Sequence, residues 1–307
     1  MAGRKQKKGG SILLRIGIFI LIVILIIILF GYLLQRYRAH REERFVPDYP
    51  KVSLSEESDN QTIFLQTGLG KQAVDKLRRE GQFQRILQMQ NIFWHQPEVE
   101  CVSLLGWFTM EDRVRFVKSE NEEGREETEN LDLYPFFVDL QPGDIILTLS
   151  THSVGWRHGH VALVLDENTT LECMTWGQNV TYGNLESWRN YSDIAILRVK
   201  GVTPQLQQRV VEYGCENLYD TPYHLTAGLL KEKAPNIDAP EFGTQCAYLV
   251  WYVWKQFGYD LDSDGGRLVT AYDLLHSKEL EVVQIYGMNP LNFPRFKKNG
   301  KNSKETI

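Results

Sequence analysis

A 19-residue apolar run near the start of the chain constrains this protein more than any other feature. Residues 16–34 carry no charged side chain and are almost all Ile, Leu, Val or Phe. At about 1.5 Å per residue, a helix of this length spans about 30 Å, the thickness of one hydrocarbon core. A cleavable signal peptide has a shorter apolar region, of about 7–15 residues, followed by a small-residue cleavage site. Gln35-Arg36-Tyr37-Arg38 follows here instead, so we expect an uncleaved, single-pass membrane anchor over residues 16–34.

Basic residues flank this run and predict its orientation. Five precede it and four follow it. The five are Arg4, Lys5, Lys7, Lys8 and Arg15, and the four are Arg36, Arg38, Arg41 and Arg44. The side richer in Lys and Arg tends to stay in the cytoplasm. We therefore expect a cell-membrane protein with its N-terminus inside and its soluble body extracytoplasmic.

The charge of the body argues against a nucleic-acid partner. Residues 1–50 hold nine Lys or Arg and three Asp or Glu, whereas the remaining residues hold 25 and 36. Duplex binding depends on basic side chains that neutralise phosphates, and this body is acidic. A hydrophobic fraction of 43% excludes a wholly disordered chain, and four cysteines are too few for a disulfide scaffold.

Composition divides the chain into six segments. They are a basic N-terminal segment (1–15), the anchor (16–34), a linker (35–60), a helical or irregular region of unknown role (61–139), an α+β domain (140–290) and a basic tail (291–307). Within the fifth segment, β-like apolar runs at 145–149, 161–165, 170–174, 194–199 and 282–286 alternate with two helical patterns, at 204–217 and 245–257.

Three local signals lie outside that domain. Thr67 is predicted to cap a helix whose apolar stripe includes Ala73, Val74 and Leu77. The helical pattern continues over residues 82–90. Residues 119–132 form a mostly acidic run that is typical of a solvated loop.

Cys246 is the candidate nucleophile. It stands in Gly243-Thr244-Gln245-Cys246-Ala247, at the start of the second helix. If Thr244 caps this helix, the unpaired N–H groups and dipole of the first turn favour a thiolate at Cys246. The rest of the helix is apolar on nearly all sides, so it should be buried with its first turn facing a cleft. Taken alone, Cys246 could equally be a small core residue.

His160 and Glu172 are the candidate partners of that thiol. They lie on two consecutive predicted strands, with a turn at residues 166–169 between them. In a hairpin, His160 then falls close to the position opposite Glu172. A carboxylate beside an imidazole fixes its tautomer and supports the imidazolium, as a thiol hydrolase requires. Either residue alone could be structural.

The order of these motifs resembles one known family. Gly143-Asp144, Gly159-His160, Leu171-Glu172, Pro222-Tyr223 and Gln245-Cys246 are similar to the motifs of permuted papain-like amidases of the YiiX/YaeF type, relatives of the NlpC-type cell-wall peptidases. The resemblance covers about residues 140–286. It implies a permuted papain-like α+β fold with Cys246 as nucleophile, His160 as base and Glu172 as orienting residue, and it suggests Tyr223 and Gln245 as substrate contacts. Where the family often has Cys-Ser-Glu, this chain has Cys246-Ala247-Tyr248.

The resemblance implies a cysteine peptidase or amidase that needs no cofactor. The anchor and the kinship point to a peptide or amide substrate, with peptidoglycan stem peptides as the leading choice. Two alternatives stay open. The same thioacyl intermediate could serve an acyltransferase or a lipid amidase, or the domain could be a non-catalytic binding module at the cell surface.

Two groups of residues have the side-chain types of metal ligands, but neither has the spacing that predicts a metal site. His152 and His158 lie near His160, yet they lack the fixed spacing of zinc ligands. Asp260, Asp262 and Asp264 precede Gly265 in the manner of a calcium loop, but Ala271 occupies the position where Glu would close it. We therefore expect a solvated acidic turn and no metal.

Overall fold

The computed structural model describes residues 7–39, 45–95, 97–105, 109–115, 134–153, 156–229, 232–239 and 242–293. The predicted acidic loop at 119–132 and most of the predicted basic tail lie outside these residues.

The N-terminal helix α1 spans Lys7–Ala39. Its stretch Leu14–Gly31 is long and apolar enough to cross a membrane, and it is almost entirely exposed rather than packed on the body. This form suits a membrane anchor or a signal sequence. The folded body of the protein begins at Phe45, a few residues after the end of α1. The Phe45 N–H donates to the Gly287 carbonyl oxygen at 3.1 Å, and the Phe45 ring lies 6.3 Å from that of Phe93.

Three short helices follow. They are α2 (Asn60–Thr67), α3 (Lys71–Arg79) and α4 (Phe83–Trp94). The predicted cap at Thr67 is wrong: Thr67 ends α2 and its hydroxyl donates to the Ile63 carbonyl oxygen. Helix α2 starts where the Asp59 side chain accepts the Thr62 N–H, and it stops where Gly68 takes a φ of 73°. The predicted stripe of Ala73, Val74 and Leu77 belongs instead to α3, which starts at Lys71. Gly70 then precedes α3.

The strands form two antiparallel sheets. The first ones are β1 (Glu98–Leu105), β2 (Thr109–Arg115), β3 (Ile145–Thr148), β4 (Thr151–Ser153) and β5 (Trp156–Arg157). The others are β6 (His160–Val164), β7 (Thr169–Glu172), β8 (Thr181–Asn184), β9 (Ile194–Val199) and β10 (Leu280–Tyr286). One sheet has the order β1-β2-β4-β5 and the other β10-β9-β3-β6-β7-β8. The five predicted strands are thus confirmed, and the α+β class with them, whereas the permuted papain-like arrangement stays a prediction.

The three remaining α-helices are α5 (Pro204–Leu218), α6 (Cys246–Gln256) and α7 (Ala271–His276). The predicted start of α5 is confirmed, since the Thr203 side chain caps it and Pro204 occupies its first turn. Beyond the end of α6, Gly258 takes a φ of 90°, a value that a residue with a Cβ rarely adopts.

The six-stranded sheet has a core on each face. Val161, Leu163 and Leu171 pack with α5 and α6 on one face. Ala162 and Val164, which alternate with them, pack with α2, α3 and α4 on the other. The sheet is therefore covered on both sides, which holds the ends of β6 and β7 in place.

A buried ion cluster ties β9 to the segment before β3. Arg198 donates through Nε and one terminal nitrogen to the two carboxylate oxygens of Asp144, each at 2.7 Å. Its other terminal nitrogen lies 2.9 Å from a carboxylate oxygen of Asp139. Burial raises the pKa of Asp144 to about 6, against the opposing effect of Arg198. Asp144, a residue of the family-like motif, therefore has a structural role here.

Candidate active site

The start of α6 places Cys246 at its first helical position. Gln245, rather than the predicted Thr244, is the N-cap: its side-chain oxygen accepts the Ala247 N–H at 2.8 Å. Thr244 is buried and its hydroxyl donates to the Gln245 carbonyl oxygen. The prediction that Cys246 lies in the first turn is confirmed, one position earlier than a Thr244 cap would put it. The side chains from Ala247 to Trp254 are buried, so the helix behind the half-buried thiol is firmly packed.

The hairpin of β6 and β7 brings His160 and Glu172 together. Ala162 pairs directly with Glu172, so His160, two residues away on the same face, is its diagonal neighbour. His160 Nε2 lies 2.7 Å from Glu172 Oε2. The Cys246 thiol donates to Gln245 Oε1 at 3.5 Å, and it interacts electrostatically with the His160 ring. Because Glu172 engages Nε2, Nδ1 is the ring nitrogen left for the thiol.

The charges of this group favour an imidazolium. Burial alone would lower the pKa of His160, but hydrogen bonds with Cys246 and Glu172 and their negative charge outweigh it and raise the pKa to about 10. His160 is therefore a cation at neutral pH, held between a carboxylate and the Cys246 sulfur.

Trp188 fixes the plane of the imidazole, and the sequence analysis missed it. Its ring stacks on that of His160 with 5.1 Å between centroids and an angle of 14°. Trp188 is buried in the short 3₁₀ helix Leu185–Asn190, which follows β8. A cation is stabilised by the face of an indole, so this contact supports the imidazolium as well as its orientation. No local motif marks Trp188, because its position depends on the pairing of β8 with β7.

The carboxylate of Glu172 sits against a glycine. Thr170 donates its hydroxyl to Glu172 Oε1 at 3.3 Å. A Cβ atom on Gly183 of β8 would lie 1.5 Å from that same oxygen and 2.6 Å from the Thr170 hydroxyl oxygen. Position 183 must therefore lack a side chain for the carboxylate to occupy its place.

Replacing Gly183 by alanine should misplace Glu172 and with it His160. We expect kcat/KM on an amide substrate to fall about 100-fold, since a shift near 1 Å in a catalytic group costs about this much. The matched control is Gly81→Ala, which meets open space but also carries a positive φ of 65°. It should cost about 1 kcal/mol of stability and leave kcat/KM unchanged. Equal kinetics in Gly183→Ala and the wild type would show that the Glu172 contact is dispensable.

The two suggested substrate contacts have different surroundings. Burial, together with negative charge on Cys246 and Cys173, raises the pKa of Tyr223, so its phenol stays protonated near Cys246. Gln245 uses its oxygen as the helix cap and one amide N–H to bind the Val269 carbonyl oxygen at 2.6 Å. The amide has a second N–H. Substrate contact by either residue stays a prediction.

A second group, outside the predicted site, has the residue types of a thiol hydrolase. It consists of Cys101 on β1, Asp112 on β2 and His152 on β4. Two contacts of this imidazole involve the same nitrogen: His152 Nε2 lies 3.7 Å from the Cys101 sulfur and 3.0 Å from Asp112 Oδ1. In a catalytic triad the two ring nitrogens serve the nucleophile and the acid separately. The composition of this group is compatible with a cysteine hydrolase, but its geometry favours the Cys246 site.

The histidines and aspartates that invited a metal interpretation are engaged elsewhere. His158 binds Ser153 through Nε2 and the Gly159 carbonyl through Nδ1, so it does not converge with His152 and His160 on one point. Asp262, Asp264 and Asp273 do approach one another. However, Asp262 is ion-paired with Lys233 and Asp273 forms the capping box of α7.

Comparisons with known proteins place few constraints on this chain. No family model matches it, and no curated protein matches it. Among solved structures, one match is the crystal structure of the metalloprotein YiiX from Escherichia coli O157:H7, with 16% identity and a TM-score of 0.34. The match covers 47% of this chain and 96% of that one. A TM-score of this size leaves the function to be argued from the geometry of the site itself.

Proposed function

We propose that this chain is a membrane-anchored cysteine hydrolase that cleaves an amide or peptide bond. The observation that carries the proposal is the pairing of Glu172 with His160, whose ring interacts with Cys246 at the first residue of a buried helix. Cys246 is the nucleophile, His160 the general acid and base, and Glu172 the residue that orients the imidazole.

The reaction follows from these assignments. The Cys246 thiolate attacks the carbonyl carbon, and the electron pair of the C=O double bond moves onto oxygen. When that pair returns, the C–N bond breaks, and the His160 imidazolium gives its proton to the leaving nitrogen. The neutral imidazole then removes a proton from water, which attacks the thioester carbon. The C–S bond breaks, the carboxylic acid leaves, and the thiolate and imidazolium are restored.

Two donors are suited to stabilise the oxyanion. The Cys246 N–H lies at the N-terminus of α6, where the first N–H groups have no carbonyl partner within the helix. The protonated Tyr223 phenol, which interacts with Cys246, supplies an O–H. Donors aimed at a developing negative charge are worth about 100- to 1,000-fold each in turnover.

The membrane anchor and the substrate are part of this proposal. We assign α1 as the anchor because its apolar side chains are exposed along the whole stretch Leu14–Gly31. The basic residues before the apolar run support an extracytoplasmic body. We therefore propose a peptide or amide bond at the outer membrane surface as the substrate, with peptidoglycan stem peptides as the first to be assayed.

The pH dependence of kcat/KM tests the proposal. The His160 imidazolium predominates at neutral pH and is lost as pH rises through its pKa of about 10, well above the ordinary histidine value. We expect the alkaline limb of the profile near pH 10. Glu172→Gln removes a negative charge that raises the pKa of His160, so its alkaline limb should move to lower pH and its turnover should fall. His160→Ala should lower turnover further than Glu172→Gln does.

His158→Asn is the matched control for this experiment. His158 adjoins Gly159 at the start of the same strand, but its ring nitrogens bind Ser153 and the Gly159 carbonyl rather than Glu172 or Cys246. Its profile should keep the alkaline limb of the wild type. If the alkaline limb of the kcat/KM profile shifts in His158→Asn and not in Glu172→Gln, His158 is the base and the proposed triad is refuted.

A further inference from the structure

The group Cys101, Asp112 and His152 lies on the four-stranded sheet. Cys101 of β1 is directly opposite Asp112 of β2. Met110 of β2 is opposite His152 of β4, so His152 and Asp112 are diagonal neighbours. All three side chains therefore project from one face of three adjacent strands, and their sulfur, oxygen and nitrogen atoms lie within 4.8 Å of one another.

The distances within this group fit a set of ligands around one ion. A tetrahedral zinc site has Zn–S near 2.3 Å and Zn–N and Zn–O near 2.0–2.2 Å, which separates neighbouring donor atoms by about 3.3–3.6 Å. The observed separations, 3.7 Å from Cys101 to His152 and 3.0 Å from His152 to Asp112, differ from these values by a few tenths of an ångström. The contacts with Cys101 and Asp112 both involve His152 Nε2. A triad would use the two ring nitrogens separately. A metal ion between the three donor atoms would instead take one lone pair from each of them.

We propose that Cys101, Asp112 and His152 bind a zinc ion. Thiolate, imidazole and carboxylate together are the donor set that Zn²⁺ prefers among the common divalent ions. Asp112 and His152 are each 1% exposed, whereas Cys101 is half-buried. The ion would enter from the side of Cys101, where a water molecule can complete the tetrahedron.

The surroundings of the group hold its carboxylate in one orientation. A terminal nitrogen of Arg157 lies 2.9 Å from Asp112 Oδ2, which leaves Oδ1 as the oxygen directed at His152. Partners of this kind orient ligands, and their loss typically lowers metal affinity 10- to 100-fold. A bound ion would cross-link β1, β2 and β4, of which β4 is only three residues long.

Cobalt substitution of the full-length protein tests this proposal without an activity assay. The protein, in detergent and stripped of metal with a chelator, is titrated with Co²⁺ and then with Zn²⁺. We expect one Co²⁺ per chain, a thiolate-to-cobalt charge-transfer band, the visible bands of a tetrahedral ion, and displacement by Zn²⁺. Wild-type protein that binds no Co²⁺ would overturn the proposal.

Variants identify the ligands. Cys101→Ser should abolish the charge-transfer band, and His152→Ala and Asp112→Asn should weaken binding at least 10-fold. Cys246→Ser is the matched control and should keep the band, because its thiol belongs to the other site. Circular dichroism checks that each variant is folded. A band that survives in Cys101→Ser, or that disappears in Cys246→Ser, would place the metal elsewhere and refute this site.

Discussion

Replacing Cys246 by alanine should abolish hydrolysis of amide substrates. We expect kcat/KM to fall at least about 10⁴-fold, because the variant has no nucleophile to form the thioester and retains only binding and oxyanion contacts. The fold should persist, since the Cys246 side chain is only half-buried. Kinetics of amine release, combined with thermal unfolding of the same samples, measures both effects.

The control for this experiment is Cys215→Ala. Cys215, on α5, is also a half-buried free thiol, and it interacts with Tyr182 rather than with His160. Its removal should leave turnover unchanged. An inactive Cys101→Ala combined with an active Cys246→Ala would transfer the nucleophile to the second thiol group and refute the proposed mechanism.

Arg198→Ala should cause a large loss of stability in the body. It leaves the carboxylate of Asp144, which is fully buried, without the cation that binds both of its oxygens. Breaking a buried pair by removing one partner costs about 3–5 kcal/mol. Urea denaturation, followed by tryptophan fluorescence, should show this loss at neutral pH. It should shrink at acid pH, where Asp144 is protonated and carries no charge to be desolvated.

Lys255→Ala is the control for Arg198→Ala. Lys255 pairs with Asp260 at the surface, where both side chains are more than a third exposed. Removal of such a pair typically costs at most about 1 kcal/mol. Equal losses in the two variants would mean that the Arg198 cluster contributes no more than an ordinary surface ion pair.

The sequence predicted those elements whose stability is encoded locally. The apolar runs of β3, β6 and β9 are buried on both faces of the sheet, so continuous hydrophobicity marks them. The hairpin that joins His160 to Glu172 could be predicted because its turn is short and its two strands are consecutive. The position of Cys246 followed from the apolar character of α6.

Other features depend on partners that are distant in sequence. Strand β2 contains Glu111, Asp112 and Arg113 in succession, a pattern typical of a solvated segment. The two acids are nevertheless buried, because Glu111 binds Tyr191 and Asp112 binds His152 and Arg157. Strand β2 is therefore stabilised by residues that are distant in the sequence, and a short sequence segment does not reveal them.

The supports of the candidate site were missed for the same reason. Gly183 and Trp188 act on Glu172 and His160 only through the register of β7 with β8. Thr244 was a better N-cap by residue type than Gln245. Gln245 takes that place because its amide also reaches the Val269 carbonyl, a contact made 24 residues away in sequence.

The short connection between α1 and the body would limit how far the proposed hydrolase can work from a membrane. Only residues 40–44 separate Ala39, the last residue of α1, from Phe45, which is bound to the body. Fully extended, this connection spans about 20 Å, and a body of this size is roughly 45 Å across. Residues 35–39 of α1 extend about 8 Å beyond the apolar run. With α1 in a membrane, every bond that the proposed hydrolase cuts would have to come within about 70 Å of the lipid surface. The protein would therefore meet substrates only in a thin layer beside the membrane. The rate of these encounters would depend on its lateral diffusion and on the distance of the substrate from the membrane.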